Sequence, residues 1–419
     1  MKNNFRFDLS DFLIHFFRDV EQTGANGIVF PEHMGWQNLW EDTFLPANFM
    51  LRAALRNGRL WATWSFRNGV RTIYGPDPAV CFTEMPIAAF LEAGHARRAA
   101  GEAMSPVALV FPKTALQGMG ARQVIYGLSV DARASSGADG APRIFPESAL
   151  PLQEQYRFVT HNLNGARNVD WTHEREWRWP YRGDGTNCEQ QAEEYGGSVS
   201  DWQEIPGLDF YRAGIWGIGV IVETARQANL VISDMLTLVD GRLADRDTFG
   251  FVLATSRLPA ATQLQDPLRL SQEIADAAVD LEPYFSMSDD LCEEYSLRFG
   301  ELVSHVEAAA GMPSWGEFGG CWLWLHDNTA PLTRALLRTG RAFVSKNGRY
   351  LAHLREFSDS RGLREREDMA SRVAEEVSRE FETSSCYFSV LNSDDPEAVP
   401  FYAGTFDDDI GFFNCAWNA

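Results

Sequence analysis

The sequence lacks the features that mark secreted, membrane-spanning and metal-binding proteins. Its six cysteines include no CxxC pair and none with zinc-ligand spacing, so we expect reduced, mostly buried thiols and no bound metal. Residues 1–12 contain no uninterrupted apolar run followed by a cleavage site, so no signal peptide is predicted. No run of about 18 apolar residues is present, so no transmembrane helix is predicted. These absences favour a cytoplasmic protein that does not contact a membrane.

Positive charge is also scarce in this chain. The 419 residues include 58 acidic and 37 basic side chains, for a net charge of −21. This balance disfavours non-specific binding to nucleic acid or to anionic membranes. The imbalance is greatest in residues 261–419, which carry 28 acidic and 13 basic side chains. Such an asymmetry indicates two regions with different roles.

The succession of helical and strand-like segments predicts an α+β protein with two domains. Residues 1–258 alternate short strands with helices, which predicts an N-terminal domain built on a mixed or antiparallel sheet. The polar stretch at residues 259–267 indicates a linker. The pattern of residues 268–419 predicts an acidic, mostly helical α+β domain, for which we expect a sensing or regulatory role. The clearest predicted elements are helices at 47–60, 87–101, 225–236 and 361–382 and strands at 79–84, 106–111, 123–129, 217–223 and 250–254.

The stretch VDWTHEREWRWPYR, residues 169–182, crowds acids, bases and indoles into one short run. As a strand, its period of two places Glu174, Glu176 and Arg178 on one face. Two neighbouring carboxylates on one face suit a site in which one acts on a substrate and the other orients it. An exposed Arg–Glu ladder without chemistry is the alternative interpretation.

Three earlier stretches add candidate binding residues. His15 lies in the apolar run LIHFFR, where a histidine is more often a core residue than a ligand. Arg67 and Arg71 flank the turn dipeptide Asn68-Gly69, and arginines held on a turn suit phosphate recognition. Thr83 lies in the strand AVCFTE, which ends before Pro86. No GxGxxG motif is present, so the sequence gives no support for a Rossmann site.

These stretches occur together and in order: IHF, a helix ending in glycine, VCFTEMP, a strand pair and EREWR. In this, residues 10–182 resemble the abortive-infection AbiGi-type phage-defence proteins of bacteria. More distantly, the chain is similar to DarT-type ADP-ribosyltransferases, which begin with an isoleucine–histidine strand and carry a late catalytic glutamate. The resemblance implies an ADP-ribosyltransferase-like N-terminal domain that consumes NAD as its substrate. It also implies a macromolecular acceptor, either protein or nucleic acid, and a phage-derived trigger.

The resemblance assigns roles to the candidate residues. Glu176 takes the part of the catalytic carboxylate, and Glu174 helps to position the acceptor. His15 and either Arg71 or Arg67 bind the cofactor, while Thr83 is the candidate for the serine–threonine–serine strand of the arginine-starting transferases. A carboxylate beside the ribose suits this chemistry, because cleavage of the nicotinamide–ribose bond passes through an oxocarbenium-like transition state.

Two other functions remain open from the sequence. A metal-dependent nuclease would use Asp170, Glu174 and Glu176 as ligands with Lys113 nearby. A non-catalytic sensor or binding protein of a defence system would use the same strand as a structural ladder. In the C-terminal region, the acidic triplet in FDDDI at 406–410 is a candidate cation site, although such a triplet is more often solvated.

Overall fold

The structure of the protein is a computed structural model that describes most of the chain in two compact units. The described residues are 9–21, 44–67, 70–102, 104–135, 141–162, 169–183, 206–260, 262–346, 348–398 and 402–403. The first unit comprises Met1–Ala228 and Asp247–Val279, and the second comprises Asn229–Arg246 and Asp280–Ala419. The predicted linker at 259–267 lies inside the first unit, and residues 229–246 belong to the second. The two units therefore do not coincide with the predicted segments 1–258 and 268–419.

The first unit contains short strands and helices in alternation, as the sequence predicts. Its strands are β1 Phe12–Phe16, β2 Val20–Glu21, β3 Phe44–Leu45, β4 Arg59–Trp61, β5 Phe66–Arg67, β6 Val70–Arg71, β7 Ala79–Thr83, β8 Ala108–Pro112, β9 Arg122–Gln123, β10 Ile125–Tyr126, β11 Phe158–Val159, β12 Glu176–Pro180, β13 Gly207–Asp209, β14 Ile218–Val222 and β15 Phe249–Ala254. Its helices are α1 Ala47–Asn57, α2 Ile87–Ala99, α3 Lys113–Gly118 and α5 Pro267–Asp276, while α4, Ala225–Asp240, runs from this unit into the second.

Seven of these strands form one mixed sheet in the order β15-β14-β8-β1-β7-β12-β9. Only the pairing of β14 with β15 is parallel, and the other pairings in this sheet are antiparallel. Helix α2 packs on one face of the sheet, where Phe90 and Leu91 meet Ile14 and Val110 in an apolar core. The expectation of a mixed or antiparallel sheet in an α+β fold is confirmed.

The helix predicted at 47–60 is α1, and Gly58 closes its C-terminal end. Gly58 adopts a left-handed conformation with φ +63°, and its N–H bonds back to the carbonyls of Ala54 and Leu55. This is the usual conformation of a residue that closes a helix, and glycine adopts it without steric cost. A Cβ at Gly58 would also lie 2.3 Å from the ring of Tyr211, so space and conformation both require glycine here.

The second unit has its own sheet and core. Five strands pair antiparallel in the order β17-β18-β16-β19-β20, namely β16 Gly319–Leu325, β17 Ala342–Val344, β18 Tyr350–His353, β19 Ser385–Leu391 and β20 Tyr402–Ala403. Its remaining helices are α6 Asp289–Ala309, α7 Pro331–Arg338 and α8 Leu363–Phe381. Side chains from all three helices share one apolar core with the sheet, including Phe299, Leu336 and Val373. The second unit is therefore α+β, and the helix predicted at 361–382 is confirmed.

Within the described part of the chain, no helix is long and apolar enough to cross a membrane.

Candidate active site

A cavity of about 310 Å³ opens on the face of the large sheet that carries Thr83 and Glu176. This volume lies at the lower end of the range of small-molecule sites. The cavity combines aromatic walls with a few charged groups, which is typical of such sites. Its aromatic lining residues include Phe16, Tyr74 and Trp171, and its polar lining residues include Thr83, Arg143, Thr160, Glu174, Glu176 and Arg178.

The register of three adjacent strands places the polar residues on one face. Ile14 of β1 lies opposite Thr83 of β7, and Thr83 in turn lies opposite Glu176 of β12. Two residues further along, Cys81 lies opposite Arg178. Since directly paired residues point to the same side of a sheet, the side chains of Thr83, Cys81, Glu176 and Arg178 share one face. The predicted pairing of Glu176 and Arg178 on a common face is confirmed.

Glu176 is held by the arginine two positions later. Arg178 Nε donates to Glu176 Oε1 at 2.7 Å, and Nη2 donates to Oε2 at 3.3 Å. Arg178 Nη1 also donates to the carbonyl of Tyr156 at 2.6 Å, and its side chain is only 6% exposed. A buried arginine with these fixed partners orients the carboxylate of Glu176 at the cavity wall.

Glu174 also lines the cavity, but it lies in a turn that precedes the strand and not in the strand itself. The predicted strand begins only at Glu176, because Thr172–Glu174 form a 3₁₀ turn and Arg175 is left-handed with φ 47°. Thr83 Oγ1 donates to the carbonyl of Glu174 at 2.5 Å, which secures this turn against β7. A left-handed arginine costs about 1–2 kcal/mol, and strain of this kind is concentrated at functional sites.

The two carboxylates are electrostatically coupled. Burial raises the pKa of Glu174 above its ordinary value, and the charge of nearby Glu176 raises it further. Arg97 of α2 opposes both effects, since its Nη1 lies 3.2 Å from Glu174 Oε1. A carboxyl with a raised pKa is suited to accept or return a proton closer to neutral pH.

Tyr126 ties the start of β12 to the aromatic wall. Its hydroxyl accepts a hydrogen bond from the N–H of Glu176 at 3.0 Å and donates to the carbonyl of Trp171 at 3.2 Å. Burial raises the pKa of Tyr126, so the phenol stays protonated and can donate. The Tyr126 side chain therefore holds the backbone at Trp171 and at Glu176, on either side of Glu174.

Arg143 is the cavity arginine that the sequence did not indicate. Its Nη2 donates to the Tyr74 hydroxyl, its Nη1 donates to the carbonyl of Arg71 at 3.1 Å, and its Cζ lies 4.0 Å from the centroid of the Tyr74 ring. Tyr74 also bonds Thr160 Oγ1 at 3.1 Å. Arg143 follows a Gly/Ala/Ser-rich stretch, and its contacts are all distant in sequence, so no local pattern marked it.

Cys81 lines the same cavity and lies opposite Arg178 on the neighbouring strand. Burial raises the pKa of its thiol far above the ordinary value, and the charge of Glu176 adds to this effect. The thiol is therefore protonated at neutral pH, whereas the thiolate is the nucleophilic form.

The structure does not bring His15 to this cavity, contrary to the role that the resemblance implies. His15 pairs with Leu109 on β8, one position out of step with Ile14, so its side chain belongs to the opposite face of the sheet. There its Nδ1 bonds the carbonyl of Cys81 at 2.9 Å, and its ring packs edge-to-face on Phe82 and Phe17. Burial lowers the pKa of His15, so the imidazole is a neutral component of the sheet interior.

Of the two arginines that flank the predicted turn, Arg71 also lies elsewhere. Arg71 does not line the cavity, and its guanidinium lies over the Trp64 ring with Cζ 4.0 Å from the centroid. Arg67 forms part of the two-residue strand β5, which pairs with β6. The side chain of Arg67 and the turn at 68–69 lie outside the described structure. Arg143, and not Arg71, is among the residues that line this cavity.

A third carboxylate, Glu84, is buried near the site and was not indicated by the sequence. Glu84 follows β7 and accepts hydrogen bonds from Trp177 Nε1 at 2.7 Å, Gln123 Nε2 at 3.0 Å and Lys113 Nζ at 3.0 Å. Burial by itself would raise its pKa, but these donors outweigh burial and lower it. Trp177 and Lys113 come from two other strands or their ends, so only the assembled sheet reveals this group.

The residues named for the nuclease alternative make other contacts in the described structure. The described residues contain no cluster of three or more His, Cys, Asp or Glu side chains that could hold a metal ion. Asp170 instead caps its own turn through Thr172 and is exposed, and Lys113 pairs with Glu84. The acidic triplet at 406–410 lies outside the described residues.

Comparison with known proteins concerns the second unit. Residues 287–415 match the model of a family described as a protein of unknown function (DUF4427). No curated protein and no solved structure matches the chain. The cavity lies in the first unit, outside the matched residues.

Proposed function

We propose that this cavity cleaves the bond between nicotinamide and ribose in NAD, transferring ADP-ribose to an acceptor or to water. The observation that carries the proposal is the placement of two coupled carboxylates, Glu174 and Glu176, on the wall of one aromatic cavity that also contains Arg143. Enzymes that break glycosidic bonds generally use two carboxyl groups in different environments.

Glu176 stabilises the developing positive charge. As the C–N bond breaks, its electron pair leaves with the nicotinamide nitrogen and the ribose becomes oxocarbenium-like. A carboxylate held by Arg178 needs no reorganisation to meet this charge, and such preorganised groups contribute about 10²–10³-fold to rate. The neutral nicotinamide then departs.

Glu174 acts on the incoming group. It orients the acceptor hydroxyl or water against the ribose carbon and accepts the proton that this nucleophile loses as the new bond forms. Its raised pKa and its contact with Arg97 suit this role, since they bring proton transfer closer to working pH without leaving the charge uncompensated.

The arginine and aromatic groups bind the remaining parts of the substrate. Arg143 carries a guanidinium into the cavity and suits the pyrophosphate, while Trp171 offers a surface for a flat ring. At about 310 Å³, the enclosed part takes the nicotinamide riboside half, and the rest of the dinucleotide extends outward.

The biological setting follows from the resemblance in residues 10–182. An NAD-consuming effector of bacterial anti-phage defence, released by a phage-derived trigger, would have a domain of ADP-ribosyltransferase type here and a regulatory second unit. The acceptor would be a protein or nucleic acid.

A non-catalytic binding module is the second candidate. The observation that favours it is the completeness of the Arg178–Glu176 pairing, in which both carboxylate oxygens are already bonded. In that case the cavity would bind NAD or a related ligand without turnover.

Incubation of the purified protein with NAD, with nicotinamide release as the readout, separates the two functions. The parent is expected to release nicotinamide, and Glu176→Gln is expected to lose about 100-fold or more of that rate. Glu147→Gln, an exposed glutamate outside the cavity, is the matched control and should retain the parent rate. NAD binding without release in the parent would support the binding module and contradict catalysis.

A further inference from the structure

A second cavity, in the second unit, is basic although that part of the chain is acidic. Its volume is about 610 Å³, well within the range of small-molecule sites. Four arginines line it together with Tyr284 and Phe285, and the acidic lining residue is Asp240. All of these residues belong to the second unit. The arginines of this arginine cavity are Arg242, Arg246, Arg334 and Arg338.

Arg334 forms the fixed base of the arginine cavity. Its Nη1 and Nη2 donate to the two oxygens of Asp240 at 2.5 and 2.9 Å, and its Nε donates to the carbonyl of Tyr284 at 2.9 Å. Both members of this pair are buried, and Tyr350 donates a further hydrogen bond to Asp240 at 2.7 Å. The charge of Arg334 is therefore neutralised within the protein.

The other three arginines keep their charge available. Arg246 and Arg338 are 46% and 43% exposed, and their partners Glu282 and Asp289 are 63% and 79% exposed. Surface pairs of this kind contribute little and exchange readily. Arg242 is exposed, and its side chain makes no hydrogen bond or ion pair with any residue in the described part of the chain.

Aromatic stacking orients the guanidinium groups. Arg246 Cζ lies 4.0 Å from the centroid of Phe285, and Arg334 Cζ lies 4.6 Å from it. Arg338 Nη1 donates to the carbonyl of Phe285 at 3.0 Å. These contacts hold the guanidinium groups at the cavity wall, and a guanidinium group can bind phosphate oxygens through two N–H groups at once.

We propose that the arginine cavity binds a small ligand that carries a chain of phosphates, as a nucleoside triphosphate does. Arg242, Arg246 and Arg338 bind the phosphate oxygens, and the exposed carboxylates of Glu282 and Asp289 are displaced. Three separate guanidinium groups suit a ligand with several phosphate groups better than a ligand with one phosphate group. This site is independent of the cavity in the first unit, and it assigns the second unit a small-molecule ligand.

Titration calorimetry of the full chain with pyrophosphate and, separately, with ATP tests the proposal. Both probes are expected to bind the parent, and Arg242→Gln and Arg338→Gln are each expected to weaken binding by about tenfold. Arg372→Gln, an exposed arginine of α8 outside the arginine cavity, is the matched control and should bind as the parent does. Since all three positions are exposed, the variants are expected to fold, and circular dichroism checks this.

Three results would overturn the assignment. These are absence of binding of both probes to the parent, equal binding by the two cavity variants and the control, and binding of ATP without pyrophosphate. The last result would show that the base, not the phosphate chain, is recognised.

Discussion

Arg178 and Glu176 form a buried, two-point ion pair between residues two apart on one strand. The shorter contact joins Arg178 Nε to Glu176 Oε1 at 2.7 Å, and the two side chains are 6% and 13% exposed. Residues two apart on a strand share a face, so the spacing in the sequence permits this pair directly. It places a fixed carboxylate at the wall of the cavity, and the function proposed for the first unit depends on it.

Removing one member of this pair is expected to destabilise the first unit. Glu176→Ala leaves Arg178 buried and unpaired, which costs about 3–5 kcal/mol. Glu154→Ala is the control, because Glu154 forms a more exposed pair with Arg157 whose loss costs about 0–1 kcal/mol. Urea unfolding of both variants measures the difference. Equal losses of free energy in the two variants would contradict the structural account of Arg178.

Glu174 gives the protein a pH dependence of known sign. Its pKa is raised by burial and by Glu176, so ionising it costs more in the folded than in the unfolded chain. The parent therefore loses stability relative to Glu174→Gln as the pH rises from about 4.3, the value of an unperturbed glutamate, through the raised value. Melting temperatures of both proteins across that interval check this. A constant difference would show that Glu174 is not perturbed.

Glu84 gives the opposite dependence. The hydrogen-bond donors of Glu84 lower its pKa in spite of burial, so its carboxylate stabilises the fold at pH values above the ordinary pKa of glutamate. This contribution is lost as the pH falls through the lowered pKa of Glu84. Glu84→Gln should be less stable than the parent at about pH 7 and close to it at about pH 2–3. Thermal melts at both values measure this. A variant as stable as the parent at neutral pH would argue against the network with Trp177 and Lys113.

Arg143 and Arg71 provide a matched pair for the kinetics of NAD cleavage. Each guanidinium lies 4.0 Å over an aromatic ring, but only Arg143 lines the cavity. Arg143→Gln should raise KM by about tenfold with little change in kcat, because the lost contact binds substrate and transition state alike. Arg71→Gln should leave both constants within about twofold of the parent. The reverse pattern would favour the turn arginine indicated by the sequence.

The sequence predicted the elements better than their assembly. The α+β class, the helices beginning at Ala47 and Ile87 and the strand at 79–84 are confirmed, because each depends on local periodicity and local stop signals. The placement of Glu176 and Arg178 on one face also follows from a local period of two.

The errors have long-range or conformational causes. His15 lies on the opposite face because register between strands, not sequence order, decides which residues meet. The left-handed conformation of Arg175 interrupts the strand alternation, so Glu174 does not continue the strand that begins at Glu176. Arg143 and Glu84 gained their roles from partners at least 29 positions away, which no local pattern reveals. The division into units was also hidden, since the chain crosses between them more than once.

A crystal structure of Glu176→Gln soaked with NAD tests the central claim most directly. The substitution preserves an oxygen that can accept from Arg178, so the cavity should keep its shape while turnover is lost. We predict intact NAD with its nicotinamide ribose beside positions 174 and 176 and its pyrophosphate on Arg143. NAD bound elsewhere, or a cavity that stays empty at saturating NAD, would contradict the account.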